Sequence, residues 1–191
     1  MQTLMHVEEP VGGPVRSLWR AAHRPVEGVS RRVQLLGYAV PFTALPAALW
    51  RLPIVFDGEF GIGERVYVVA LSVVSEALAF AAVGLVAWWG EVFPRWVPVL
   101  RGRRVPVAVG VVPAAFGAAV LTLLFTVLNI VSEVRGTTIR GDAQFASDPS
   151  RVGGWETFWY YVCYSPLVLW GPLLGVVTFA YWKRRRAGVS R

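Results

Sequence analysis

The residue in this sequence most able to do chemistry is Glu76, which sits deep inside an apolar run, LSVVSEALAF. A carboxylate at the centre of a membrane-spanning helix costs ~2.5–3.5 kcal/mol on insertion scales and more in simulations. A Glu so placed has to face other helices, be protonated or have a partner. It can carry a proton, anchor the polar end of a ligand, or act as a general acid or base. The bland alternative is a neutral Glu hydrogen-bonded between helices. Ser72 lies one helical turn away on the same face. Further along, Thr122, Thr126, Asn129 and Glu133 fall at i, i+4, i+7 and i+11, which on a helix is a single polar stripe. Thr43 lies near the middle of the first apolar run, and Tyr160, Tyr161, Tyr164 and Ser165 lie in the outer part of the last. Arg51 is within ~8 Å of Glu76 in depth at ~1.5 Å per residue, although its guanidinium can equally snorkel outward to headgroups. The polar groups therefore predict a pocket open to the outside with Glu76 at its floor. Its walls would come from Ser72, Thr122, Thr126, Asn129, Arg51, Thr43 and Tyr164.

Other chemistries lack their residues. The two histidines, His6 and His23, lie in the polar N-terminal segment, so no apolar run supplies a haem or iron ligand. The single lysine, Lys183, follows the last run, and Cys163 stands alone, which excludes a Schiff-base chromophore and a dithiol pair. Phosphate-binding Gly-rich loops and triad-like motifs are missing. No metal and no cofactor is expected.

These residues need positioning elements, and composition says what kind. Hydrophobic residues make up 55% of the chain and charged residues 16%, whereas a water-soluble domain is near ~25% charged. There is too little polar surface to cover a globule. Nine tryptophans agree, since Trp collects at membrane interfaces. A spanning helix needs ~20 mostly apolar residues, and four stretches qualify, at about 33–56, 66–89, 105–131 and 158–182. The predicted fold is all-α: a four-transmembrane-helix bundle over 33–182, preceded by a cytoplasmic tail (1–32) and followed by a basic tail (183–191). Pro41, Pro46 and Pro53 predict a kinked or partly unwound first helix, and Pro113, Pro166 and Pro172 interrupt the third and fourth. Gly171 and Gly175, Ala77 and Ala81, and Ala114 and Ala118 are small-xxx-small pairs that let helices approach closely.

Orientation follows from the basic residues. The net charge of +7 forms no stripe on a foldable domain, so nucleic acid is not the expected partner. Instead Arg16, Arg20, Arg24, Arg31, Arg32, Arg95, Arg101, Arg103, Arg104 and the closing Lys183–Arg186 and Arg191 all fall on one side of the alternating spans. The other side has Arg51, Arg65, Arg135, Arg140 and Arg151, together with most of the acids. Fourteen against five puts both termini in the cytoplasm. Pro14 to Arg24 has the pattern of a short helix lying on an anionic leaflet. The connection before Arg104 is expected along the interface, and the segment from about Glu133 to Glu156 forms an external loop.

Four proline-rich spans, the stretch YSPLVLWGPLLG from Tyr164 to Gly175 and the closing YWKRRR resemble small uncharacterised integral membrane proteins of actinobacteria. The resemblance implies a multi-pass protein of the bacterial plasma membrane and brings no activity or site residue with it. The expected function is binding or transport of a small or amphiphilic ligand at Glu76. Membrane lipids are the other expected partners, and transport through four spans would call for a homo-oligomer. The alternatives are an integral-membrane enzyme acting on a lipid or isoprenoid, with Glu76 as general acid or base, and an accessory subunit without chemistry.

Overall fold

Ser30 opens the first helix by accepting a hydrogen bond from the Val33 N–H at 3.4 Å, the preferred role of serine at an N-cap. Helix α1 then runs Arg31–Arg51, unbroken through Pro41 and Pro46. The helix is not unwound at either proline. The interruption comes at Pro53, which has no N–H to continue the ladder: Leu52 N–H bonds back to Leu49, and one further turn, Pro53–Phe56, follows. The computed structural model describes residues 28–56, 61–92, 104–137 and 153–187. The tail expected to hold an interfacial helix, most of the 90–104 connection and most of the external loop lie outside the described residues.

Helix α2 spans Ile62–Leu85, earlier than the expected 66–89. Its start is fixed by the Glu64 carboxylate, which accepts from the Gly61 N–H at 3.1 Å. Its last turn tightens to a 3-10 helix over Ala82–Leu85. Helix α3 spans Val107–Arg135, with a wide π-helical stretch at Thr122–Leu128 and a left-handed glycine, Gly136 at φ 65°, closing its end. Helix α4 spans Gly154–Ala187 and contains a 3-10 segment, Ser165–Leu169, around Pro166. It is longer than expected because the basic residues after Trp182 continue the helix. All four helices are long and apolar enough to cross a membrane.

The bundle is open. Helix α2 packs on α1, α1 on α4, and α4 on α3, so α2 and α3 stand at the two ends of a row. Small residues set the spacing. A Cβ on Gly37 would lie 2.6 Å from Val86 Cγ2, and one on Gly171 would lie 2.3 Å from the backbone nitrogen of Thr122. Gly175 meets Ala118 at ordinary contact. The Gly171–Gly175 and Ala114–Ala118 pairs thus serve contacts within the chain. Ala77 and Ala81, in contrast, are exposed and face away from the bundle. The core joins Val40, Ala44 and Ala47 of α1 with Ala79 and Ala82 of α2 and with Trp170, Leu174, Val177 and Tyr181 of α4. The outer faces are apolar as well, as Val73, Leu78, Phe116, Leu123 and Phe179 illustrate.

Where α2 ends, Gly90 folds against Gly84 so closely that a Cβ there would lie 1.9 Å from the Gly84 carbonyl oxygen. Val92 and Arg104 then form an antiparallel bridge, and the Val105 N–H donates to the Glu91 carbonyl at 2.9 Å. The chain thereby returns to start α3 beside the place where α2 finished.

Candidate functional site

Along α2, Ser72, Glu76, Ala79 and Val83 form one stripe, and the stripe faces α1. Ser72 is 7% exposed, Ala79 and Val83 are fully buried, and Glu76 is half-buried among them. The helices are antiparallel, with Gly37 against Val86, so Ala47 of α1 falls about level with Glu76 and Ala44 about level with Ala79. Opposite the carboxyl the sequence therefore provides alanines and no polar partner. The consequence is visible at atomic level: Ser72 Oγ and Glu76 Oε2 are both buried without a hydrogen-bond partner. Two polar side chains one turn apart are left open in an apolar setting, where an unpaired polar atom costs ~1–3 kcal/mol. An added group that donates to the carboxyl and meets the hydroxyl would remove that cost.

The remaining residues expected at the pocket are engaged elsewhere. Thr43 is buried, and its hydroxyl donates to the Val40 carbonyl at 2.7 Å within α1. The Arg51 guanidinium lies over the Tyr164 ring at 5.5 Å, and that ring stacks on Tyr160 at 4.7 Å. Arg51 thus ties the C-terminal end of α1 to α4 and is not an ion-pair partner for Glu76.

The polar stripe of α3 exists, but its partner is α4. Thr122 donates to Ala118 within its own helix and sits against Gly171. Thr126 donates to the Val168 carbonyl of α4 at 2.6 Å. Residue 172, whose N–H would bond that carbonyl in an α-helix, is a proline, and Thr126 supplies a donor in its place. Glu133 accepts from the Tyr161 hydroxyl at 3.1 Å, where the C-terminal end of α3 meets the first turns of α4. Asn129 is half-buried in this stretch. Thr122 and Thr126 are thus taken up by the α3–α4 seam and are not brought to Ser72 and Glu76, whose helix packs at the other end of the row.

A second polar group escaped the sequence reading. At the end of the bundle where α1 starts and α4 finishes, Arg184 pairs with Glu91 at 2.6 Å, with both side chains more than four-fifths buried. The Arg184 guanidinium also lies over the Tyr181 ring at 5.4 Å. Arg185 donates to the Val105 carbonyl, holding the start of α3. The signal is present in YWKRRR, where helical continuation past Trp182 turns Arg184 and Arg185 back onto the bundle and leaves Lys183 and Arg186 exposed.

Among the described residues no group of His, Cys, Asp and Glu could hold a metal ion. The chain matches no protein-family model, no curated protein and no solved structure.

Proposed function

We propose that this chain is a multi-pass protein of the bacterial plasma membrane, with both termini in the cytoplasm, that binds a small or amphiphilic ligand through Glu76 and Ser72. The observation that carries the reading is the pair of buried, unpartnered oxygens, Ser72 Oγ and Glu76 Oε2, on the face of α2 that meets α1. The four long apolar helices and the apolar outer faces support the membrane setting, since apolar surface left in water costs roughly 25 cal/mol per Å². The ligand would present a hydrogen-bond donor, such as a hydroxyl, amide or ammonium, to the carboxyl.

The reading as a lipid-processing enzyme draws less support. An acid–base pair would need a second titratable group at Glu76, and Arg51 and Glu133 are held by tyrosines of α4. Transport at Glu76 would be a further property of the same site and would show as movement of the bound species across the bilayer.

The test uses protein purified from its native membrane in mild detergent. An organic extract of wild type and of Glu76→Gln is compared by mass spectrometry, with thermal unfolding confirming that both are folded. A species enriched in the wild type and depleted at least about tenfold in the variant, a loss of ~1.4 kcal/mol in binding, is the expected result. Identical extracts from two equally folded proteins would remove Glu76 from ligand binding.

A further inference from the structure

The basic end of the bundle holds a cavity of about 690 Å³, within the ~300–1,000 Å³ range of small-molecule pockets. Its wall is built from three places in the chain. Gly28, Val29 and Ser30 lead into α1, Leu85 and Val86 close α2, and Tyr181, Lys183 and Arg184 come from α4. Ser30 and Val33, at the N-terminus of the 21-residue α1, are part of that wall, so the partial positive charge of the helix end lies beside the cavity.

The charges on the wall are unequally used. Glu91 occupies Nη2 of Arg184, which also reaches the Leu85 carbonyl at 3.5 Å. The other terminal nitrogen, Nη1, is buried and has no partner. Lys183 lines the cavity and makes no ion pair among the described residues. Tyr181, 2% exposed, adds a hydroxyl that is also buried and unpartnered, on the side of its ring nearest α3. Glu91 is the only acid among the described residues at this end, against Arg31, Arg32, Arg104 and Lys183–Arg186. Every spare group is a donor or a cation, and the other half of the wall is apolar.

We infer that this cavity binds the phosphate of an anionic phospholipid from the adjoining leaflet, with Lys183 and Arg184 of its wall as the cations and the positive end of α1 beside them. A phosphate oxygen is the acceptor a spare guanidinium nitrogen and a helix N-terminus both favour. The lipid is preferred over free phosphate because Val29, Val33, Leu85 and Val86 supply apolar wall beside the cations, and basic pockets between membrane helices suit such headgroups. The inference rests on the membrane setting proposed above but not on Glu76.

The experiment titrates the full-length protein in a neutral detergent with phosphatidylglycerol, phosphatidylcholine or inorganic phosphate, reading lipid retention by native mass spectrometry and Tm. Phosphatidylglycerol should bind about tenfold or more tighter than phosphatidylcholine. Lys183→Gln, at an exposed position, should weaken it about fivefold, the fold-change of ~1 kcal/mol per basic residue. Arg184→Lys keeps a charge for Glu91 but gives up the second nitrogen, and should weaken it by at least as much. Ala187→Glu, on the exposed rim of the cavity, adds a repelling charge one helical turn from Lys183 and Arg184 and replaces neither, so it tests the site even where Arg184→Lys folds poorly. Equal retention of both lipids, or unchanged phosphatidylglycerol binding in Lys183→Gln and Ala187→Glu, would overturn the proposal. A Tm rise with inorganic phosphate as large as with phosphatidylglycerol would overturn the lipid as occupant. Release of the protein from membranes by alkaline carbonate would instead overturn the membrane setting, a result distinct from the other two.

Discussion

At the scale of single residues, the Val168 carbonyl is the clearest case of one side chain compensating another. Pro172 removes its helical donor and Thr126 of α3 replaces it at 2.6 Å. Thr126→Val keeps the shape and removes the donor, so it should cost ~1–3 kcal/mol, the penalty for a buried polar atom left open. Pro172→Ala restores the helical N–H, and in that background Thr126→Val should cost markedly less. A double-mutant cycle read by unfolding in detergent should therefore give a coupling energy of ~0.5–3 kcal/mol, and strict additivity would refute the compensation. Glu76 behaves in the opposite way. From sequence alone, Glu76→Leu would be expected to strand polar partners and to destabilise. The carboxyl oxygen Oε2 and its neighbour Ser72 Oγ have no partners to strand, so in protein stripped of bound small molecules Glu76→Leu should be at least as stable as wild type. A loss above ~1 kcal/mol, the size of one net hydrogen bond, would mean that the carboxyl is held by the protein and has a structural role.

At the scale of elements, the α3–α4 seam shows what sequence periodicity can and cannot specify. The stripe Thr122, Thr126, Asn129, Glu133 was legible because helical spacing fixes which residues share a face. Periodicity carries no information about which neighbour that face meets: Thr122, Thr126 and Glu133 meet α4 and not Glu76. The prolines of α1 divide for a related reason: Pro41 and Pro46 each delete one backbone bond yet sit where α1 packs against α2 and α4 and stays helical, whereas Pro53, beyond that packing, interrupts it. Glu76 and Ser72 were legible because a carboxyl in an apolar run is anomalous wherever it packs. The cavity at the basic end was not, because it needs Arg184 to fold back on Glu91, 93 residues away in the chain. Glycines test the seam directly. Gly171→Ala would set a Cβ 2.3 Å from the Thr122 backbone nitrogen, so the helices must separate, at a cost of ~1–3 kcal/mol. Gly117→Ala would meet only Leu174 Cδ2, at 3.8 Å, and should be neutral or stabilising by up to ~1 kcal/mol because Ala favours helix. Chemical or thermal unfolding of the two variants side by side checks the contrast, and similar losses in both would show that the seam is not set by Gly171.

At the scale of the whole molecule, the row of helices divides charge between its two ends. Among the described residues one end carries Arg31, Arg32, Arg104 and Lys183–Arg186 against the single acid Glu91, while the other balances Arg51, Arg65 and Arg135 with Glu64, Glu133 and Glu156. Basic flanks are retained on the cytoplasmic side during insertion, so the end holding the cavity is expected inside and the end holding Arg51 and Tyr164 outside. The two proposed sites would then face different compartments: the lipid phosphate site the inner leaflet, and the Glu76 site the mid-depth of the bilayer. Single cysteines in a Cys163→Ser background test this in intact cells with a membrane-impermeant thiol reagent. Gly63→Cys and Glu156→Cys lie at exposed positions of the outer helix ends, and Gly63 has open space around it, so both should label without lysis. Arg32→Cys and Ala187→Cys, exposed at the opposite end, should label only after the cells are opened. Labelling of position 187 in intact cells with protection of position 63 would invert the protein. Labelling of all four would mean that the helices do not cross the bilayer, and both proposed sites would then have to be argued again from water.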